Sequence, residues 1–137
     1  MPQEDHLKKQ IDQLGRVLGK ILADLIGHKA QGQIIAEPEA IYSLLKDALD
    51  IDDLLAIPIA ELMTTLLSNN KFNNDNFEKL ADILFLMAEE VDQGNKLNLM
   101  KNKLFERSLI IYEYLNKSSM TYSLERHLKM VKIKNIL

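Results

Sequence analysis

The chain has 137 residues, of which 47% are hydrophobic and 27% are charged, with a net charge of −3. This length suits one domain with one hydrophobic core, and the composition is that of a globular rather than a disordered protein. The absence of cysteine excludes disulfides, thiolate zinc sites and cysteine nucleophiles. Five glycines and three prolines leave few turn signals for a β-sandwich, so the composition favours helices.

The charges are divided unevenly along the chain. Residues 1–95 hold 8 basic and 17 acidic residues, a net of −9, whereas residues 96–137 hold 9 basic and 3 acidic residues, a net of +6. Such polarity can orient a partner or a second copy of the chain. It can also reflect basic helices that dock on acidic helices within one fold, and we favour this intramolecular interpretation.

The first predicted helix extends from residue 4 to about residue 30. Gly15, Gly19, Ala23 and Gly27 form a line with a spacing of four. A glycine costs a helix about 1 kcal/mol relative to alanine, so this line indicates that another backbone lies close by. That backbone belongs either to a second copy in a homodimer or, as we favour, to the same chain. Apolar residues recur at alternating spacings of four and three, which predicts packing along the whole helix: Leu7, Ile11, Leu14, Leu18, Ile21 and Leu25.

Shorter helices are predicted in the middle of the chain. A break at 31–33 precedes a helix over 38–50, which begins on a proline. The acidic residues of 50–53 provide N-cap oxygens for a short helical piece, and a further helix runs from 58 to about 68. The polar segment 68–74 is the clearest loop signal. We therefore expect a single domain, residues 1–137, with this loop between its halves.

Two longer helices follow the loop. The first covers 75–92, with Asn74 or Asp75 as its cap, and Gly94 ends it. The second runs from about 96 to 116. In the first of these helices the apolar residues again follow spacings of three and four: Phe77, Leu80, Leu84, Met87 and Val91.

The last predicted helix begins after Thr121 or Ser123, either of which can cap it, and it ends near residue 135. No segment of useful length alternates with period two, so the sequence predicts an all-α fold of five to seven helices. The apolar side of this last helix consists of Leu124, Leu128, Val131 and Ile136.

The segment from about 80 to 115 resembles the tetratricopeptide repeat (TPR). Ile83 and Leu86 match the bulky pair of its first helix, and Gly94-Asn95 matches its turn. Phe105 and Ser108 match the aromatic position and the last small position of its second helix. A second, weaker match covers about 18–50, which suggests a duplicated helical hairpin. The sequence departs from the motif at Met87, Glu90 and Lys101.

The overall pattern is also similar to a bacterial family of small TPR-like helical proteins without a known activity. Two segments carry this resemblance, Leu14–Lys20 and Thr121–Arg126. This resemblance implies no known activity, whereas the resemblance to the repeat implies a TPR-like bundle of helical hairpins, a kind of scaffold that usually binds a partner rather than catalyses a reaction.

No residue pattern indicates a catalytic or metal site. The histidines His6, His28 and His127 lie far apart in the sequence, and none belongs to a motif such as HExxH. The acidic residues of 50–53 lack the glycine and the terminal glutamate of a calcium loop. Phosphate-binding loops and GxSxG elbows are also absent. We therefore predict a non-enzymatic protein without metal or cofactor, and we expect it in the cytoplasm because no signal peptide or membrane-spanning segment is evident.

A groove for a protein or peptide partner is the leading functional hypothesis, because stacked helical hairpins form a concave face whose polar side chains can hold a partner. Homodimerisation through the first helix and contact with nucleic acid remain alternatives. The nucleic-acid hypothesis depends on the basic last helix, with Arg126, Lys129, Lys132 and Lys134. The partner-binding candidates on the two longer helices are Lys79, Asp82, Glu89, Lys103, Arg107 and Tyr114.

Overall fold

The computed structural model describes residues 2–30, 38–90 and 98–137. This part of the chain contains no strand, and the predicted all-α fold is confirmed. A 3₁₀ turn, Leu54–Ala56, lies between the second and third helices. The described residues form six helices: α1 (Pro2–Ala30), α2 (Pro38–Leu49), α3 (Ile59–Ser68), α4 (Asn74–Glu90), α5 (Asn98–Ser118) and α6 (Leu124–Ile136).

Side-chain caps set the starts of the elements in the second half. The side-chain oxygen of Asn73 accepts a hydrogen bond from the Asn76 amide at 2.8 Å, so the cap of α4 lies one residue before the predicted Asn74. Ser123 caps α6 by accepting from the Arg126 amide at 3.2 Å, as one of the two predicted alternatives. The predicted breaks at 31–33 and at Gly94 lie outside the described residues, as does Val91.

Helices α1 and α4 lie side by side and run in the same direction. The side-chain amide of Asn76 donates to the Ile11 carbonyl at 3.1 Å, and the ammonium of Lys79 donates to the Gly15 carbonyl at 3.3 Å. Residue numbers rise together across these two contacts, so the helices are parallel. Asn76 is buried, and its bond to a carbonyl of the first helix satisfies a polar group that would otherwise be costly to bury.

Helix α5 packs against α4 in the opposite direction. The rings of Phe85 and Phe105 meet edge to face with centroids 5.7 Å apart, and the Ser108 hydroxyl donates to the Ala81 carbonyl at 2.8 Å. Because the numbers of the contacting residues rise along α4 as they fall along α5, the two helices form an antiparallel hairpin. Apolar residues occupy most sides of α4, which places this helix at the centre of the core. Its buried apolar residues are Phe77, Leu80, Ala81, Ile83, Leu84, Phe85, Met87 and Ala88.

The orientation of α6 differs from the sequence interpretation. Its inward side carries Arg126, Met130 and Ile133, all of which are buried. The residues taken as its apolar side are exposed instead. The physical reason is that Arg126 donates hydrogen bonds to Glu78 of α4 and Asn116 of α5. With Arg126 facing inward, the buried side of α6 lies about half a helical turn away from the side that was predicted to be buried. The exposed residues are Leu124, Leu128, Val131 and Ile136.

Close packing on the glycine line of α1 is limited to its first member. A Cβ added to Gly15 would lie 2.9 Å from the side-chain oxygen of Asn76, whereas a Cβ on Gly19 or Gly27 would meet nothing within 4 Å. The close neighbour at Gly15 is thus a side chain of α4 rather than a second backbone. The apolar line of α1 packs more fully, with Leu14, Leu18, Ile21 and Leu25 all buried.

Alanine substitutions should therefore have different effects on stability at two glycines of the same helix. Gly19→Ala should raise the free energy of unfolding by about 0.5–1 kcal/mol, because it improves helix propensity in open space. Gly15→Ala should lose this gain or become destabilising, because its methyl group displaces the buried Asn76 amide. Urea unfolding monitored by circular dichroism measures both changes, and equal stabilisation by both substitutions would contradict the α1–α4 contact.

Candidate functional site

The three predicted partner-binding residues of α4 share one face of that helix. Lys79 reaches the Gly15 carbonyl of α1, whereas Asp82 and Glu89 accept from lysines of α6. This face thus lies between the first and last helices. All three side chains are half-buried and already hold contacts within the chain. Their assignment to a partner remains a prediction.

The three predicted residues of α5 do not join that face. Lys103 is exposed, and the half-buried Tyr114 ring meets the Phe77 ring edge to face at a centroid distance of 5.2 Å. Arg107 is buried and only 5% exposed. The structure therefore distributes the six candidates over separate surroundings rather than one groove.

Arg107 holds the 3₁₀ turn against α5. Its guanidinium donates to the carbonyls of Leu55 at 2.9 Å, Ile57 at 3.0 Å and Leu54 at 3.4 Å, and also to the Lys103 carbonyl of its own helix. Carbonyls at the end of a short turn lack regular helical partners, and the planar fork of arginine can satisfy several of them together. The side chain thus has a structural role that polarity alone did not predict.

A hydrogen-bonded pair closes the same turn from α2. The Tyr42 hydroxyl donates to the Asp53 carboxylate, and the Leu55 amide donates to the Tyr42 oxygen at 2.9 Å. Partial burial, together with the bond to Asp53, raises the pKa of Tyr42 to about 12. The same hydrogen bond lowers the pKa of Asp53. Both pKa shifts mean that the fold favours a neutral Tyr42 phenol beside an ionised Asp53 carboxylate.

Three ion pairs join α6 to α4, and we call them the ion-pair ladder. Arg126 contacts Glu78 at 3.1 Å, Lys129 contacts Asp82 at 2.9 Å, and Lys132 contacts Glu89. Residue numbers rise along both helices, so α4 and α6 are parallel. The ladder agrees with the interpretation that the basic last part of the chain docks on the acidic first part within one fold. It also engages three of the four cations considered for nucleic acid.

The central pair of the ladder is linked to the core through Tyr112. The buried Tyr112 hydroxyl donates to Asp82, which also receives the Lys129 ammonium. Burial, followed by the charge of Asp82, raises the pKa of Tyr112 well above its usual range. The phenol therefore stays neutral, and Asp82 serves as the shared acceptor for α5 and α6.

The side of α6 opposite the ladder is apolar and exposed. Leu124 is 60% exposed, Leu128 58% and Val131 41%; we call these three residues the α6 stripe. Of the twelve large hydrophobic side chains that are exposed in the described residues, seven lie within 120–137. This clustering distinguishes α6 from the other helices, where exposed apolar residues are scattered and need no explanation.

Sequence reasoning missed the stripe because it assigned the longest apolar line of α6 to the core. A signal for the correct rotation was nevertheless present. Arg126, Met130 and Ile133 also follow spacings of four and three, which places them on one side of a helix. Choosing between these two lines required knowledge that α4 presents Glu78 to the arginine.

The ranges 2–30, 38–90 and 98–137 contain no cluster of three potential metal ligands, and no helix in them is long and apolar enough to cross a membrane. Of the clefts that border α1, two contrast in size and polarity. One, of about 340 Å³, lies beside α4 and includes Gly15, Arg16 and Lys79; the other is an apolar recess of about 50 Å³ between α1 and α2.

Comparisons with known proteins yielded no match for this chain: no protein-family model fits it, and neither the curated proteins nor the solved structures include a significant relative. Function is therefore inferred from the geometry and chemistry of the described residues.

Replacing Arg107 should destabilise the fold. Arg107→Met preserves much of the side-chain volume but leaves buried carbonyls of the 3₁₀ turn without a donor, so we expect the free energy of unfolding to fall by about 2–4 kcal/mol. Lys103→Met, one helical turn earlier and exposed, is the matched control and should change stability by less than about 0.5 kcal/mol. Urea unfolding of both variants measures the difference, and similar stability of the two would argue against the proposed role of Arg107.

The bond between Tyr42 and Asp53 should make stability sensitive to alkaline pH. The pKa of Tyr42 in the fold is about 12, above its ordinary value of 10.0, so its contribution is complete below pH 10.0 and is lost as pH rises towards 12. The stability difference between wild type and Tyr42→Phe should therefore shrink over this interval. Urea unfolding at several pH values tests this, and a constant difference would contradict the assignment.

Proposed function

We propose that the protein is a non-enzymatic, TPR-like interaction module whose contact surface is the α6 stripe. The observation that carries this proposal is the exposure of Leu124, Leu128 and Val131 on the side of α6 opposite its buried residues. A soluble domain rarely leaves a contiguous apolar face on a regular helix unless that face binds something. The proposal places the protein in the cytoplasm, in keeping with a chain that has no cysteine.

The order and direction of the helices support the TPR-like part of the proposal. Contacts of α4 show α1 and α6 running parallel to it and α5 running antiparallel. Stacked helical hairpins produce this alternation, since each hairpin repeats the direction of the one before it. The resemblance of segment 80–115 to the repeat concerns the same α4–α5 hairpin.

In this interpretation α6 is the last helix of the stack, where an apolar outer surface is unusual. Each hairpin in a stack buries its apolar side on the next one, and a terminal helix normally carries a polar outer side. Helix α6 instead carries Leu124, Leu128 and Val131 on its outer side. It therefore has the surface of an internal helix that is continued by a partner.

The alternative contact surfaces have less support. The polar groove candidates Lys79, Asp82 and Glu89 are engaged with α1 and α6, and using them would require those contacts to open. Contact with nucleic acid through α6 would break the ion-pair ladder. We therefore place the interaction on the apolar side of α6 rather than on its charged side.

The proposal predicts that partner capture depends on the α6 stripe. Leu124→Gln combined with Leu128→Gln should reduce the recovery of bound proteins by about tenfold, because two apolar anchors are lost from the contact. The measurement is quantitative mass spectrometry of proteins captured from cell extract by the immobilised chain.

The matched control is Leu44→Gln combined with Leu67→Gln, which changes two leucines that are 55% and 47% exposed on α2 and α3. Urea unfolding should show that both double variants remain folded. Equal recovery by wild type, the stripe variant and the control would refute the proposed contact surface.

A further inference from the structure

We infer that the α6 stripe binds a second copy of this chain, through antiparallel packing of the two α6 helices about a two-fold axis. This inference rests on the proposed function, since it names the partner of the same surface. Three features of α6 support a second copy as the partner: the spacing of the stripe, the charges beside it and the apolar residues at its ends.

The spacing of the stripe suits a helix–helix contact. Leu124, Leu128, Val131 and Asn135 follow one another at intervals of four, three and four, and all are exposed. This is the repeat of a helix that packs along a partner helix, with one polar position of the kind that sets register. In an antiparallel pair Leu128 lies against Val131 of the second copy, and the two-fold axis produces this contact twice.

The charges beside the stripe select the antiparallel direction. Glu125 and Lys132 are seven residues apart and lie on the same side of the stripe. In an antiparallel pair, the side of one helix that carries Glu125 and Lys132 faces the same side of the other helix. Glu125 of each copy therefore meets Lys132 of the other copy. Lys132 is 53% exposed beside Glu89, which leaves room for a second carboxylate.

A parallel arrangement would lack these pairs. It would place the side with Glu125 and Lys132 against the opposite side of the other helix, which carries His127 and Lys134. That side offers no carboxylate to Lys132. The charge pattern of α6 is therefore self-complementary only in the antiparallel direction, as a contact between identical surfaces requires.

The apolar residues beyond the stripe extend the same contact. Tyr122 is 71% exposed before the helix, and Leu137 is 53% exposed after it. Antiparallel packing that pairs Leu128 with Val131 also brings Tyr122 of one copy to Leu137 of the other. A 13-residue helix is about 20 Å long, so we expect a small interface and a dimer with a dissociation constant in the micromolar range.

The first test is the mass of the purified full chain in solution. Sedimentation velocity from about 1 µM to about 500 µM should show a rise from 15.7 kDa towards twice that mass. Leu128→Gln should remain monomeric throughout, because both central apolar contacts are lost. Leu67→Gln, on α3, should dimerise like wild type. A monomeric wild type, or a Leu128→Gln variant that dimerises normally, would overturn the inference.

The charge pairing has its own matched pair of variants. Glu125→Lys should weaken dimerisation about fivefold or more, because two attractive contacts become repulsive. Glu113→Lys makes the same change in net charge at an exposed position of α5 and should leave dimerisation unchanged. Equal effects of the two substitutions would contradict pairing between Glu125 and Lys132.

Introduced cysteines report the direction, since the chain has no other cysteine. Under mild oxidation, a mixture of Leu124→Cys and Asn135→Cys chains should form a mixed disulfide, whereas Asn135→Cys alone should not form a disulfide dimer. Efficient self-linkage of Asn135→Cys would instead indicate parallel helices and refute the antiparallel arrangement.

These results also separate the inference from the proposed function. A chain that remains monomeric but captures another protein through the α6 stripe would overturn the inference and leave the interaction module intact. A chain that neither dimerises nor captures a partner through the stripe would overturn both.

Discussion

The buried contact of Arg126 with Glu78 and Asn116 determines which side of α6 faces the core. The guanidinium is 6% exposed and bonds to groups of both α4 and α5. Removing one partner of such a contact would leave an uncompensated charge in a poorly solvated place. The helix therefore has one acceptable rotation, with Met130 and Ile133 inward, and that rotation leaves the α6 stripe on the outside.

Helix α4 is the element that makes this arrangement possible. It packs against α1 through Asn76, against α5 through an aromatic pair, and against α6 through the ion-pair ladder. Its sequence combines apolar residues on most sides with one acidic edge. The apolar sides pack in the core, and the acidic edge forms ion pairs with α6. Three carboxylates from the acidic first part of the chain meet three cations from the basic last part at this edge.

This charge compensation also bears on function. Arg126, Lys129 and Lys132 are engaged by carboxylates of the same chain, so the contact surface that we propose is the apolar side of α6 rather than its ladder side. In the dimer that we propose, the second copy would recognise shape and apolar area, and Glu125 and Lys132 would set the direction of the two helices. The buried Arg107 similarly stabilises the turn between α2 and α3, although its polarity and helical position resembled those of a binding residue.

Local features of the sequence determined the helices, their approximate bounds and the burial of α1 and α4, because side-chain periodicity and capping act within a few residues. The common face of Lys79, Asp82 and Glu89 was not predicted, because the sequence does not show which sides of α4 meet α1 and α6. Tertiary structure alone decided the rotation of α6 and the role of Arg107. Those outcomes depend on Glu78, which lies 48 residues before Arg126, and on carbonyls about 50 residues before Arg107. Where a helix carries two possible inward lines, as α6 does, only the groups that it meets in the fold can decide between them.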